Sequence, residues 1–512
     1  MIKLSRRAIL ELAGTAILGG GALLLAPRGA TGTTGQSPMN FPGDLPNPPV
    51  LQSEAGVLSV KLNVNYGEAA LPQGPARLRL YDGAMPGACW RVRPGDRIEV
   101  ELCNRLPPDL EDSETAAAGL PAKVVHANRP NRFNTTNLHF HGMHVDPRGD
   151  SDNVFLEIHP GQDFRYNVDI PIDHPPGTFW YHPHRHGSVA IQIASGMAGM
   201  IVVDDPSGQS DLVERQMVIQ APIVGEDGTL EDPALFMALE NERDFLINGV
   251  HAPLIHIHEG ETQLWRLLSA NDSQFLPLDF GAMAGVEAEL VGWDGIPLAE
   301  PRPAGQLTLA PGNRADLLVT GRRKGSHWFG RSAFDQGLVR LPEATLGEIV
   351  VLDAGSAAVS ATSPVYLPAS SMQRYRLRPI RDEEITQQRV IELGHIRRPG
   401  ETLDVNFTIN GVPHQHHAFD IVGKLGEAEE WTFINLTPFP HPMHVHVNPF
   451  EVIEVNGVPV PDRPWMDTVI VPAAGVVKIR TRYEDFPGDF VMHCHILPHE
   501  DAGMMMNMRI VE

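Results

Sequence analysis

The sequence His-Cys-His-Ile-Leu-Pro-His occupies residues 493–499, and Met504 follows five residues later. On an extended strand, successive side chains point to opposite faces, so His493 and His495 share one face and Cys494 takes the other. His499 and Met504 would lie on a loop that folds back toward the cysteine face. A thiolate, imidazoles and a weak thioether form the ligand set of a blue-copper centre. The stretch therefore predicts a strand that lies between two metal sites.

The strand ending in this stretch belongs to a unit that occurs three times along the chain. Each copy starts with a turn and an alternating strand and continues to a later strand; the pairs are residues 94–104 and 177–184, 259–271 and 325–332, and 425–435 and 488–495. Short strands with regular turn signals are typical of a β-sandwich, and the 48 glycines and 45 prolines suit many turns. The pattern predicts an all-β chain of three Greek-key β-sandwich domains, at residues 45–205, 206–360 and 370–512. Residues 355–375 form a candidate linker, and helical periodicity is confined to residues near 233–243.

The middle copy of the unit lacks metal-binding side chains. It has Gly330-Arg331-Ser332 where the first copy has His-Pro-His and the third has His-Cys-His. The middle domain is therefore expected to be a spacer that positions the two outer domains.

The charge balance and the first thirty residues bear on partners and location. The chain has 63 acidic and 40 basic residues, a net charge of −23, which argues against nucleic acid or an anionic membrane as a partner. In residues 1–30, Arg6-Arg7 precedes a short apolar run, as in a twin-arginine signal. We expect the twin-arginine export machinery as a partner and a periplasmic or secreted protein. An uncleaved signal anchor is the alternative, and no other segment is long and apolar enough to span a bilayer.

Cys89 and Cys103 flank a turn between two predicted strands. In an oxidising compartment they could form a disulfide. Two buried thiols are an equally good interpretation.

Four histidine pairs with one intervening residue recur at matched places in the first and third copies of the unit. They are His139 and His141, His182 and His184, His444 and His446, and His493 and His495. A single pair is more often a surface pair or a core histidine. On a strand, the two imidazoles stand roughly 6.6–7 Å apart, which suits two neighbouring ions rather than one. Eight imidazoles can serve three ions, while His441, Cys494, His499 and Met504 remain for a separate mononuclear site.

These motifs are similar to the signature of the three-domain multicopper oxidases, which include laccases and cuprous oxidases. The resemblance covers the chain after the leader and implies cupredoxin domains, four coppers and the reduction of O₂ to two waters with electrons from a reducing substrate. It implies a type 1 copper held by His441, Cys494 and His499, with Met504 axial. It further implies a type 2 copper on His139 and His444, and two type 3 coppers, one on His141, His182 and His495 and the other on His184, His446 and His493.

Acidic residues beside the motifs are candidates for delivering the protons that O₂ reduction consumes. Family members carry acids at places that match Glu500, next to His499, and Asp152, thirteen residues after His139. We predict that both are proton relays; a solvated loop acid is the alternative for each, and Asp150 is a rival for Asp152.

Five further histidines have plainer interpretations. His144 and His186 are expected to support the motifs or to lie on the surface. His414, His416 and His417 are expected to form a polar loop face that binds metal only adventitiously.

The sequence is less informative about the electron donor. The cuprous-oxidase branch has Asp and Met where this chain has Thr437 and Phe439, and a Met-rich insert where residues 360–430 contain only Met372. We therefore predict a laccase-like oxidase of phenols or aromatic amines, with the imidazole edge of His441 or His499 facing solvent. The alternative is a metallo-oxidase of Cu⁺, Fe²⁺ or Mn²⁺. A non-catalytic envelope scaffold is disfavoured by the full ligand set, and copper nitrite reductases lack the His-Cys-His motif.

Overall fold

Alternating burial of side chains, one residue in and the next out, is found along several of the strands. In Val57–Leu71, for example, Leu58, Val60, Leu62 and Val64 are buried while the residues between them are not. The computed structural model describes residues 43–109, 128–206, 212–237, 243–337, 339–354, 375, 377–397 and 405–512. The predicted leader and most of the predicted linker lie outside these ranges. The prediction of an all-β chain is confirmed.

Among the described residues, the first sandwich has nine strands in two sheets, with orders β3-β2-β5-β7 and β1-β4-β9-β8-β6. In the second of these orders β1 and β6 are the outermost strands. The strands are β1 Val50–Gln52, β2 Val57–Leu71, β3 Gly74–Tyr81, β4 Cys89–Val92, β5 Arg97–Asn104, β6 His139–His141, β7 Asp163–Asp169, β8 Gly177–His182 and β9 Gly199–Val203.

The middle sandwich pairs its strands in the orders β12-β11-β10-β14-β19-β16-β17, β13-β23-β20, β15-β18 and β21-β22. The strands are β10 Val213–Gln220, β11 Leu246–Ile247, β12 Val250–His251, β13 Leu254–His258, β14 Thr262–Ser269, β15 Leu276–Asp279, β16 Val286–Trp293, β17 Ile296–Pro303, β18 Gln306–Leu309, β19 Arg314–Gly321, β20 Gly325–Arg331, β21 Phe334–Asp335, β22 Arg340–Leu341 and β23 Ala344–Leu352.

The last sandwich has sheets of order β25-β24-β27-β33-β29-β30, with β31 beside β29, and β26-β35-β34-β28-β32. The strands are β24 Ile385–Arg397, β25 Val405–Ile409, β26 Ile421–Lys424, β27 Ala428–Asn435, β28 His441–Val445, β29 Phe450–Val455, β30 Val458–Pro459, β31 Trp465–Met466, β32 Thr468–Val471, β33 Val476–Arg482, β34 Gly488–Cys494 and β35 Met505–Val511.

Three short helices and one 3₁₀ turn complete the described residues. They are α1 Val189–Ser195, α2 Pro233–Met237, α3 Leu497–Asp501 and the 3₁₀ turn Asp382–Glu384. The α2 helix occupies the start of the segment predicted to be helical; residues 238–242 lie outside the described ranges. None of the helices in the described ranges is long and apolar enough to cross a membrane.

Each sandwich has its own apolar core, and a fourth apolar cluster joins all three. That cluster contains α1, Trp180 of the first sandwich, Leu268 of the middle one and Leu497 of α3. Burial of such large apolar surfaces is the main favourable term in folding, so the sandwiches form one unit over residues 42–512. The domain limits at 45–205, 206–360 and 370–512 stay a prediction.

The question of the disulfide is resolved within this fold. Cys89 on β4 and Cys103 on β5 are both buried and both free. Burial raises the pKa of the Cys89 thiol to about 12, so this thiol is protonated at neutral pH. The interpretation as two buried thiols is confirmed, and the two cysteines do not form a disulfide.

Candidate metal centre

Antiparallel pairing places the histidine motifs opposite one another. In the first sandwich His139 of β6 faces His182 of β8. In the last sandwich His444 of β28 faces His493 of β34. Because side chains alternate along a strand, Phe140 and Cys494 point into the apolar cores while their histidine neighbours point the other way.

The two histidine faces meet between the first and last sandwiches. His139 stacks on His446 with ring centroids 4.0 Å apart, and His141 stacks on His444 at 3.8 Å. The eight imidazoles are all buried. Groups with one nitrogen from each member within 4.8 Å of the others are His139 with His141 and His444, His141 with His182 and His495, and His184 with His446 and His493.

Hydrogen bonds fix which nitrogen of each ring carries the proton. His141 Nε2–H donates to Asp467 at 3.2 Å, and His182 Nδ1–H donates to the Pro183 carbonyl at 2.8 Å. The nitrogens that remain, His141 Nδ1 and His182 Nε2, face each other at 3.2 Å with lone pairs only. Facing lone pairs repel unless a cation lies between them, so this arrangement fits a metal ion.

Both ring nitrogens of His495, and one nitrogen each of His139 and His444, have no partner among the described residues. His139 Nδ1–H donates to Asp152 at 2.9 Å, and His444 Nδ1–H donates to the Asp467 carbonyl at 2.9 Å. Their Nε2 atoms are buried and unpaired. Burial lowers the pKa of His139 well below its usual value, so this ring is neutral and able to bind a metal.

A second group of donors lies on the other face of β34. His441 Nδ1 is 3.4 Å from Cys494 Sγ and 3.3 Å from His499 Nδ1. His499 stands on α3, beyond which Gly503, at φ +114°, returns the chain so that Cys494 N–H donates to the Met504 carbonyl at 3.0 Å. Burial raises the pKa of the Cys494 thiol far above its usual range. The thiolate form therefore requires a nearby cation.

One sequence prediction about this group is wrong. His441 and His499 are 0% and 1% exposed, so neither imidazole edge faces solvent. Phe407 stacks on His499 at 3.8 Å, and Phe439 lies 5.2 Å from His441. The covering rings come from β25 and from the loop before β28, which the local motif could not reveal.

The two predicted relay acids both lie beside the histidine cluster. Asp152 is buried and accepts hydrogen bonds from His139 and from Phe140 N–H at 3.0 Å. Glu500 lies 2.8 Å from His493 Nδ1, yet neither of its oxygens completes a hydrogen bond among the described residues. Burial raises the pKa of each carboxyl to about 7. Asp150 is exposed and accepts from Asn167 instead.

Comparison with known proteins agrees with this donor set. Two sequence-family models, both described as multicopper oxidase, match residues 119–208 and 386–512. A multicopper oxidase of Staphylococcus haemolyticus is 23% identical over 442 residues, covering 84% of this chain and 83% of that protein. A laccase of Bacillus subtilis is 26% identical, with coverage of 86% and 91%. The solved structure of a multicopper oxidase from Campylobacter jejuni, described as a metallo-oxidase, is 25% identical with a TM-score of 0.76, covering 93% of this chain and 97% of that one.

The chain belongs to the multicopper oxidases. Its sandwiches are therefore cupredoxin-like and its cofactor is copper. The enzyme couples the oxidation of a reducing substrate to the reduction of O₂. The facing lone pairs and the buried thiol described above fit that metal.

Two residues that the sequence analysis missed, Asp467 and Arg314, hold histidines of this oxidase in place although they are far from them in sequence. Asp467 lies 3.2 Å from His141 and 3.3 Å from His444, and Arg314 of the middle sandwich donates to it at 2.5 and 2.9 Å. Burial would raise the pKa of Asp467, but Arg314 and His444 outweigh it and hold that pKa low. Gly142, at φ +81°, leaves room for this pair, since a Cβ there would stand 2.2 Å from Arg314. No spacing rule in the sequence identifies these contacts.

Two residues next to the motifs, Thr437 and Asp501, make contacts that the sequence analysis also missed. Thr437 Oγ1 accepts from His441 Nε2 at 2.9 Å and so leaves His441 Nδ1 free. Asp501 accepts from Gly187 N–H and Ala190 N–H at the start of α1, which ties α3 to the first sandwich. In the sequence, these contacts were indicated only by the position of Thr437, four residues before His441, and of Asp501, next to Glu500.

The remaining histidines divide into two kinds. His144 is half-buried and bonded to the Val447 carbonyl at 2.9 Å and to Asp485 at 3.2 Å, a link between the first and last sandwiches. His186 and His414 are buried beside the exposed His416. The expectation of a simple polar loop face is therefore wrong for His414.

Proposed function

We propose that this multicopper oxidase is laccase-like and oxidises phenols or aromatic amines in four one-electron steps, with reduction of O₂ to two waters. The observation that carries the proposal is the position of Cys494. Its side chain belongs to one donor group, and its two chain neighbours, His493 and His495, belong to the other. An electron can thus travel between the groups along covalent bonds.

The proposed ligands follow the groups of converging nitrogens. His441, Cys494 and His499, with Met504 as a weak axial donor, would hold one copper that accepts single electrons. The histidine cluster would hold three coppers that supply the four-electron chemistry of O₂, on the type 2 ligands His139 and His444 and on two sets of type 3 ligands. These sets are His141, His182 and His495, and His184, His446 and His493.

The surroundings of His441 and His499 favour an aromatic donor. Because Phe407 and Phe439 cover these rings, an electron has to cross a layer of aromatic side chains. His395, exposed on β24, lies 6.2 Å from Phe439 and 6.4 Å from Phe407. A flat aromatic ring can stack on this layer, and an imidazole can accept the proton that a phenol loses on oxidation.

Two carboxyls are proposed to deliver protons. Glu500 is buried, close to His493 and His184, and without a hydrogen-bond partner among the described residues. A carboxyl in this state can hold a proton near neutral pH and pass it on. Asp152 holds the His139 proton at Nδ1 and is the second candidate.

Oxidation of Cu⁺, Fe²⁺ or Mn²⁺ is the second candidate function. The description of the Campylobacter jejuni relative as a metallo-oxidase favours it, and the net charge of −23 permits it. Thr437 argues against it, because its hydroxyl is used on His441 rather than on an incoming ion. The full donor set disfavours a non-catalytic scaffold.

We also propose that the protein is exported in folded form by the twin-arginine machinery and acts in the periplasm or outside the cell. The paired Arg6-Arg7 and the apolar run after them support this. The three-domain organisation at 45–205, 206–360 and 370–512 is part of the same proposal, since each range contains most of one sandwich core.

The deciding experiment measures O₂ uptake by copper-loaded protein with a panel of phenols and, separately, with Cu⁺ and Fe²⁺. We expect four coppers per chain, blue absorption and uptake with phenols. Cys494→Ser should abolish both the blue absorption and the uptake, whereas Cys103→Ser, the same change at a buried thiol far along the chain, should abolish neither. Uptake with metal ions alone would replace the laccase assignment by the metallo-oxidase one. Fewer than four coppers in fully loaded protein would refute the ligand assignment.

A further inference from the structure

A cluster of three histidines lies outside the copper donor set. Residues from the first and last sandwiches line a cavity of about 100 Å³, among them His186, His414 and His416. One ring nitrogen of each of these three lies within 4.8 Å of one nitrogen of the other two. We call them the three-histidine cluster. The proposed function uses none of them.

Two asparagines fix the tautomers of the buried members. His186 Nε2 lies 3.1 Å from Asn128 Oδ1, and His414 Nε2 lies 3.0 Å from Asn507 Oδ1. The amide orientations are set by other bonds, because Asn128 Nδ2 donates to the His414 carbonyl and Asn507 Nδ2 donates to the Ala418 carbonyl. Each Oδ1 can only accept, so each Nε2 carries the proton.

The consequence is that both Nδ1 atoms present bare lone pairs. Each is buried and has no partner among the described residues. His186 and His414 are only 8% and 5% exposed, so solvent does not satisfy these nitrogens freely. A buried acceptor without a partner has lost the hydrogen bond that water would give it, and a bound cation removes that cost. A metal-bound histidine typically donates its other ring N–H to an oxygen, as both rings do here.

The remaining features suit a cation that arrives from solvent. His416 is exposed, and its ring lies 4.9 Å from His414 and 5.5 Å from His186. Two charged side chains, Arg185 and Glu157, also line the cavity, and they bond to each other at 3.0 Å. Burial lowers the pKa of His414 to about 4, which leaves this ring neutral at physiological pH.

We propose that the three-histidine cluster is a further metal site, separate from the copper donor set, that binds one divalent first-row transition ion through three imidazoles. Imidazole donors suit Zn²⁺ and Cu²⁺, and Cu²⁺ binds more tightly in the general order of affinities. Three protein ligands leave a coordination position open toward the cavity, which His184 of the copper donor set also lines.

The test is a calorimetric titration of copper-loaded enzyme with Zn²⁺. Zn²⁺ is chosen because it adds no absorption of its own to the spectra of the bound coppers. The variant His416→Ala changes an exposed side chain, and His417→Ala is its matched control, one residue away and outside the cluster. We expect one additional Zn²⁺ to bind to the wild type and to His417→Ala. The affinity for Zn²⁺ should be at least about 10-fold lower in His416→Ala, because even the loss of a residue that only supports a ligand lowers metal affinity by that factor. Blue absorption should be equal in all three proteins.

A second readout identifies the ligands directly. One equivalent of Cu²⁺ added to the copper-loaded enzyme should give a new electron paramagnetic resonance signal split by imidazole nitrogens in the wild type and in His417→Ala, and not in His416→Ala. Absence of an additional ion in the wild type would overturn the proposal. Equal affinities in the two variants would do so too, because metal would then be bound elsewhere on the surface.

Discussion

Asp152→Asn tests how a carboxylate supports a metal-binding histidine. In the structure Asp152 Oδ1 accepts from His139 Nδ1–H at 2.9 Å and from Phe140 N–H at 3.0 Å. An asparagine Oδ1 can accept both bonds, so at a pH above the Asp152 pKa of about 7 the change removes the charge and keeps the shape. A hydrogen bond to a charged group is worth about 1.5–3 kcal/mol and a neutral one about 0.5–1.5 kcal/mol. The loss is therefore about 1–1.5 kcal/mol, or roughly 5- to 13-fold in copper affinity at the His139 site.

The assay is competition for copper by a chelator, read as copper per chain and as the signal of the type 2 site. Asp150→Asn is the matched control, because Asp150 is exposed and bonded only to Asn167 among the partners described. We expect the control to retain the affinity of the wild type, and both variants to retain blue absorption. If Asp152→Asn bound copper as tightly as the control, the carboxylate charge would not support His139, and the argument would be refuted.

Three further outcomes follow from the site. Glu500→Gln should slow O₂ reduction by about 10²-fold and leave the blue absorption intact, since the amide cannot pass on a proton; turnover unchanged across pH would defeat the relay. Met504→Leu should raise the reduction potential of the blue copper, because a weak axial donor is lost; a potentiometric titration without a rise would exclude Met504 as a ligand. Arg314→Met should destabilise the fold by about 3–5 kcal/mol, since it removes the guanidinium that neutralises the buried Asp467; an unchanged midpoint in urea unfolding would contradict this.

Much of the fold and of the donor set could be predicted from sequence because both follow local rules. Strand alternation fixes the faces of His493, Cys494 and His495 within three residues. The recurrence of the same unit in the first and third sandwiches indicated that two such faces exist. The pairing of His139 with His182 and of His444 with His493 then follows from antiparallel geometry.

Contacts between distant segments could not be predicted in this way. The cover over His499 comes from Phe407, ninety-two residues earlier by number, and the support of Asp467 comes from Arg314 in another sandwich. The tautomer of His414 depends on Asn507, ninety-three residues away. Nothing in the immediate sequence around any of these residues encodes its partner, because the partner is set by how distant strands pack within one sandwich or between two.

The contact between the histidine faces of the first and last sandwiches, called the joint here, has a consequence for the stability of the fold. His184 and His493, 309 residues apart, stand with their Nε2 atoms 3.0 Å from each other. Metal held between them would act as a crosslink that closes a very long loop, and it would bind the folded chain only. Without metal the same joint contains buried imidazole nitrogens that lack a partner among the described residues, including His139 Nε2 and His444 Nε2. We therefore expect the first and last sandwiches to separate more readily in the metal-free protein, and limited proteolysis should cleave that form faster than the metal-loaded one.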